Sequence, residues 1–138
     1  MSSSSKNKIK GALAASLTAF KKDLSLDIKL TIKHGQDLLD QGLDGVVFFG
    51  TTGEGNSINI QEKKQFIDAL VNEKFENDKV MIGTGSCALP DAIDLTRYSV
   101  EAGIYDCLIL PPFTTKTLKM KVCLLTFQRL FKKLLMKN

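Results

Sequence analysis

The sequence predicts an α/β fold, a parallel sheet covered by helices, and three observations carry that prediction. Four short apolar runs recur, at 11–19, 45–49, 79–83 and 106–110. Three stretches with helical spacing of apolar residues separate them. The runs are continuously apolar rather than alternating, the mark of strands buried on both faces. Each strand-plus-helix unit takes roughly thirty residues, near the share of one unit in an eight-unit barrel of about 250 residues. A doubly wound open sheet is the other arrangement this pattern allows.

The elements follow in order. Gly11 to Ala19 reads as a first strand, although its alanines favour strands weakly. Asp27 can cap a helix whose positions Ile28, Ile32, Gly35 and Leu39 recur at helical spacing. Gly42 stops that helix, and the second strand, 45–49, follows. Ser57 to Glu62 opens a second helix over roughly 59–75, with Phe66, Ile67, Leu70, Val71 and Phe75 on its inner face. Lys79 to Gly83 is the third strand. Pro90 suits the first turn of a third helix, Gly103 its end, and Ala92, Leu95, Ser99 and Ala102 its buried face. Asp106 to Leu110 is the fourth strand, closed by Pro111-Pro112-Phe113.

Composition narrows the function classes. The 138 residues are 43% apolar and 25% charged, ordinary for one globular domain. No apolar run approaches the length of a membrane span. Met1 to Lys6 is serine-rich and lacks the apolar core of a signal peptide, so residues 1–8 read as a disordered tail. Cys87, Cys107 and Cys123 form no metal-ligand pattern and suit a reducing, cytoplasmic setting. They read as small core residues. The net charge of +4 is unevenly spread. Residues 1–113 hold 12 Lys and Arg against 15 Asp and Glu, or −3, whereas residues 114–138 hold 7 and none, or +7. The body therefore offers nucleic acid no basic face.

The chemistry gathers at Gly50-Thr51-Thr52-Gly53-Glu54, which follows the second strand. Ligands of α/β folds bind at the carboxyl ends of strands. A turn rich in N–H and hydroxyl donors suits a carboxylate or phosphate there. The plain alternative is a tight glycine turn with incidental threonines. The glycine spacing excludes the dinucleotide fingerprint. Thr84 and Ser86, after the third strand, read equally as pocket lining or as an ordinary turn. His34 sits at the edge of the first helix's apolar stripe.

These residues resemble a known family. Gly50-Thr51-Thr52-Gly53-Glu54, then Glu62-Lys63, Gly83-Thr84-Gly85-Ser86 and Pro111-Pro112-Phe113 look like the dihydrodipicolinate synthase / N-acetylneuraminate lyase family of pyruvate-dependent class I aldolases. The resemblance covers about residues 8–113, with Ala19 where the family usually has proline. It implies the N-terminal half of a (β/α)8 TIM barrel. It implies a lyase that makes or breaks a C–C bond through a lysine–pyruvate Schiff base, because an imine turns the keto acid into an electron sink. Thr51 matches the family's proton-relay threonine. Thr52, with Gly50 and Gly53, matches the binder of the keto-acid carboxylate. The implied partners are pyruvate or another 2-keto acid and further copies in a homo-oligomer, with no nucleic acid and no membrane. No cofactor and no metal is implied.

The family's imine lysine stands on its sixth strand and a proton-handling tyrosine on its fifth. Neither strand is expected here, and Lys63, Lys64 and Lys79 fall on a helix or at a strand start, away from the chemistry. Thr114 and Thr115 stand where the family commonly has tyrosines. The expectation is a truncated aldolase half, 9–113, inactive alone, with an irregular or helical basic tail, 114–138. Back-translated with AT-rich codons and read one nucleotide earlier, the tail becomes family-like, so it reads as out-of-frame. Two other classes compete: a non-catalytic fragment that acts by association, and a basic amphipathic tail that binds anionic surfaces.

Overall fold

The computed structural model describes residues 9–110 and 120–135. The expected N-terminal tail, Pro111 to Phe113 and the Thr114-Thr115 pair lie outside them. The order is β1 (Leu13–Ala15), α1 (Ile28–Asp40), β2 (Gly45–Phe48), α2 (Ile60–Asn72), β3 (Val80–Gly83), α3 (Leu89–Glu101), β4 (Asp106–Leu108) and α4 (Met120–Leu135). All three strand pairings are parallel, in spatial order β1-β2-β3-β4. Right-handed crossovers between sequential neighbours set the connecting helices on one side of the sheet. This is the N-terminal part of a TIM barrel.

Burial follows from that handedness. Val46, Phe48, Val80 and Ile82 point to the helices and are at most 1% exposed. The row Ala15, Val47, Met81 and Asp106, paired across the sheet, lies on the other face and stays half-buried or exposed. The sequence-based expectation of strands buried on both faces therefore holds for one face only. Continuous apolarity marks a strand for the interior but does not show whether a second layer is in place.

The helices begin and end where their side chains direct. The Asp27 carboxylate accepts the Leu30 N–H at 3.0 Å and caps α1. Ile32, Gly35 and Leu39 of α1 are buried, and Thr31 joins them. Thr31 Oγ1 donates to the Asp27 carbonyl and accepts the Ala19 N–H at 3.0 Å. A proline at position 19 has no N–H for that bond. Phe48 reaches α1 over Gly35, where an added Cβ would lie 2.4 Å from the ring. Its ring also meets Phe66 edge-on at 4.9 Å and Phe75 at 6.1 Å, the centre of the core.

α2 opens with a capping box. The Glu62 N–H reaches the Asn59 side chain at 3.0 Å, and the Asn59 N–H reaches the Glu62 carboxylate at 3.2 Å. The same carboxylate accepts the Leu26 N–H at 3.1 Å and so ties the approach to α1 to the start of α2. Val71, expected inside, is 41% exposed because the helix turns it outward. Phe75 lies beyond the helix end yet is buried. Replacing Asn59 by Ala should cost about 1 kcal/mol. A urea midpoint lowered at unchanged slope would show this, and an unmoved midpoint would refute it.

Candidate functional site

The stretch after β2 bends back under strong local constraint. Phe49 takes a left-handed backbone, φ 59°, and so does Glu54, φ 49°. The Phe49 carbonyl is thereby wedged between two glycines. An added Cβ on Gly55 would lie 2.0 Å from it, and one on Gly83 2.1 Å. Within the turn the Glu54 and Gly55 N–H groups donate to the Thr51 and Gly50 carbonyls, each at 3.1 Å. The segment after β1 lies alongside, where Thr18 Oγ1 donates to the Gly53 carbonyl at 2.6 Å.

A cavity of about 50 Å³ opens at the carboxyl ends of β2, β3 and β4. Gly50, Thr51, Glu54 and Asn56 line it, with Gly83, Gly85, Leu108 and Leu110 from the neighbouring units. A buried water needs roughly 10–15 Å³ by the same measure, so the space suits a ligand of a few heavy atoms. Of the four expected site residues, Gly50 and Thr51 line this cavity. Thr52 is exposed beside it and Gly53 is buried behind it, where an added Cβ would lie 2.7 Å from the Ser16 carbonyl. The Glu54 and Gly55 N–H groups are used inside the turn. The Thr51 and Thr52 hydroxyls and N–H groups are then the candidate donors for a carboxylate.

Thr84 points away from the cavity. Its hydroxyl accepts from Thr96 Oγ1 at 2.8 Å in a fully buried contact between β3 and α3. Ser86 lies instead on the outer side, where its Oγ accepts the Ala88 N–H at 3.3 Å. Asn56 and Thr18 are the residues that sequence reasoning passed over. Their signal was weak, because neither belongs to a repeated spacing. His34 is half-buried beside the α1 stripe. Cys107 is half-buried, and burial pushes its thiol up, with the Ser99 and Thr84 hydroxyls offsetting part of that. Cys87, expected in the core, is exposed in the β3–α3 connection.

Among the described residues no lysine lines the 50 Å³ cavity. Lys64 pairs with Asp94 at 2.7 Å and Lys79 with Glu76 at 2.9 Å. Lys63 is 5% exposed, with its Nζ 5.9 Å from the Phe49 ring centroid. Burial pulls its ammonium below the ordinary lysine range. It faces a second cavity of about 360 Å³ on the helix side, with Asn56, Ser86 and Asp91. Among the described residues no group of His, Cys, Asp and Glu could hold a metal ion.

Known proteins share this arrangement. Residues 8–124 match the model of the Dihydrodipicolinate synthetase family. The match runs past residue 113, where the motif resemblance ends. A 4-hydroxy-tetrahydrodipicolinate synthase of Prochlorococcus marinus is 34% identical over 104 residues, 75% of this chain and 34% of that protein. A DapA-like lyase of Chloroflexus aurantiacus is 35% identical over 108 residues, 78% of this chain and 36% of its own length. The crystal structure of dihydrodipicolinate synthase from Agrobacterium tumefaciens superposes with a TM-score of 0.85 at 30% identity, over 90% of this chain and 43% of that one. The chain thus spans about a third of the length of the curated relatives it matches.

Proposed function

The chain belongs to the Dihydrodipicolinate synthetase family, and from that premise we propose that it forms the keto-acid-gripping half of a pyruvate-dependent class I aldolase site. The observation that carries this reading is the small cavity under Gly50 and Thr51 at the carboxyl ends of three parallel strands. The carboxylate of pyruvate, or of another 2-keto acid, sits against the Thr51-Thr52 donors. Gly50 leaves room for it, since nothing approaches its Cβ position closer than 3.7 Å. Gly53 acts from behind by letting the turn lie flat against Ser16. The Thr51 hydroxyl passes a proton toward the reacting carbon.

The covalent step belongs to a lysine that adds to the ketone, expels water and leaves an imine through which a methyl proton can be lost. Among the described residues Lys63, Lys64 and Lys79 lie outside the cavity, so this reading assigns residues 9–110 the grip on the keto acid and not the imine. Borohydride reduction in the presence of pyruvate should leave no stoichiometric lysine adduct. Pyruvate should nonetheless shift the amide signals of Thr51 and Thr52 in a nuclear magnetic resonance titration. A single full-occupancy adduct would overturn the first half of this reading, and unmoved Thr51 and Thr52 signals the second.

A second reading rests on the sheet's edges. β1 pairs with β2 alone and β4 with β3 alone among the described residues, so each has an open side. Such edges favour association with further family subunits. Co-purification with a full-length relative tests it, and failure to co-purify counts against it.

A further inference from the structure

The site above makes no use of α4. This helix sits on α3 through Leu130, which is 1% exposed, and the Arg97 guanidinium reaches over to donate to the Lys133 carbonyl at 3.1 Å. Its outer side carries two neighbouring stripes. Leu124, Phe131 and Leu135 recur at i, i+7 and i+11, and are 55%, 55% and 81% exposed. Beside them run Leu125, Arg129 and Lys132 at i, i+4 and i+7, followed around the helix by Lys133. A groove of about 800 Å³ opens along this basic side, lined by Ile93, Arg97, Arg129, Lys132 and Lys133 among others. Asp94 is its one acidic group, and Lys64 already neutralises it at 2.7 Å.

We propose that α4 is a docking surface for anionic lipid: Leu124, Phe131 and Leu135 enter the headgroup boundary while Arg129, Lys132, Lys133 and Arg97 meet the phosphates. An exposed apolar stripe beside a cationic one, on a helix without acidic residues, is the arrangement of helices that lie in the plane of a membrane surface. The sequence pattern alone had offered this only as an alternative, and the body of the chain implied no membrane partner. The structure adds that the apolar stripe stays outside while Leu130, on another face of the helix, packs inward. A second copy of the chain is the weaker occupant. Stable protein interfaces bury about 800 Å² per partner, more than three side chains on one helix of about 24 Å can offer. A lipid surface needs only the stripe and the charges. The helix lies along the surface rather than across it, since no described helix is long and apolar enough to span a membrane. The surface is a property of the folded residues, however the tail arose, and it does not rest on the aldolase reading.

The chain has no tryptophan, so Phe131→Trp introduces a single fluorescent probe at the centre of the stripe. That variant should sediment with phosphatidylcholine vesicles containing about 30 mol % phosphatidylserine at about 0.1 M salt, with its emission shifted to the blue. It should ignore pure phosphatidylcholine vesicles and leave the anionic ones as salt rises toward about 1 M. Lys132→Gln with Lys133→Gln should weaken binding roughly 25-fold, at about fivefold per cation. Phe131→Ser should abolish stable binding. All these positions are exposed, so circular dichroism should be unchanged. No partition onto anionic vesicles would overturn the proposal, as would partition with unshifted emission. A dimer in sedimentation that Phe131→Ser dissolves would assign the stripe to a second copy instead. Binding to polyglutamate without binding to vesicles would assign the surface to an acidic polypeptide.

Discussion

Thr51→Val should lower turnover roughly 10²-fold or more, the scale of a lost proton-transfer group, once residues 9–110 are joined to the remaining βα units of the Agrobacterium relative. The substitution keeps the shape of a residue that lines the cavity and removes only its hydroxyl. Imine trapping with pyruvate should therefore persist in the chimera while the aldol step slows. Thr52→Val in the same chimera should mainly raise KM for the keto acid, the result expected of a group that grips the ground state and the transition state alike. Equal turnover for the Thr51→Val and parent chimeras would remove Thr51 from the proton path. Loss of imine trapping would place it in binding instead.

Phe48→Ala should remove about 3–5 kcal/mol of stability, a large part of the roughly 5–15 kcal/mol that a domain has. Phe48 is 1% exposed and touches two helices and the connection after the second: α1 over Gly35, Phe66 of α2, and Phe75 beyond it. The cavity left behind cannot collapse easily, because Val46 and Ile82 on either side belong to the paired sheet. Urea unfolding measures the loss, with exposed Leu30→Ala as a near-neutral control. A Phe48→Ala loss of about 1 kcal/mol or less would mean that the aromatic cluster is not the centre of the core.

Most of the fold was legible because it rests on local signals. Asp27 and Gly42 bracket α1 where the sequence places them, and the four apolar runs are the four strands, trimmed at their ends. Trimming is physical: Gly11 takes a left-handed backbone and Leu17 is turned out to 60% exposure, so neither continues the ladder. What escaped depends on distance in sequence. Nothing near Thr84 says that Thr96 will claim its hydroxyl, and nothing near Gly53 says that Thr18 will claim its carbonyl. Cys87 looked like a core residue by type, but its place in a connection between elements decided otherwise. The turn was legible, yet which of its residues line the cavity follows from the left-handed bend at Phe49, which no composition announces.

The strictly sequential strand order bears on how the chain acquires its shape. Partners lie 32 residues apart between Leu13 and Gly45, 34 between Val46 and Val80, and 25 between Met81 and Asp106. The entropic toll of closing a loop rises only with the logarithm of its length, so each step costs nearly the same as the last. No strand has to slip between two that are already joined. Order can therefore spread outward from the first completed pair, much as it does along a repeat array. A ribosome releasing the chain from its N-terminus presents the units in the order in which they pair. The Phe49 knot closes only when Gly83 arrives, so the cavity beneath it forms late, after the scaffold that holds it.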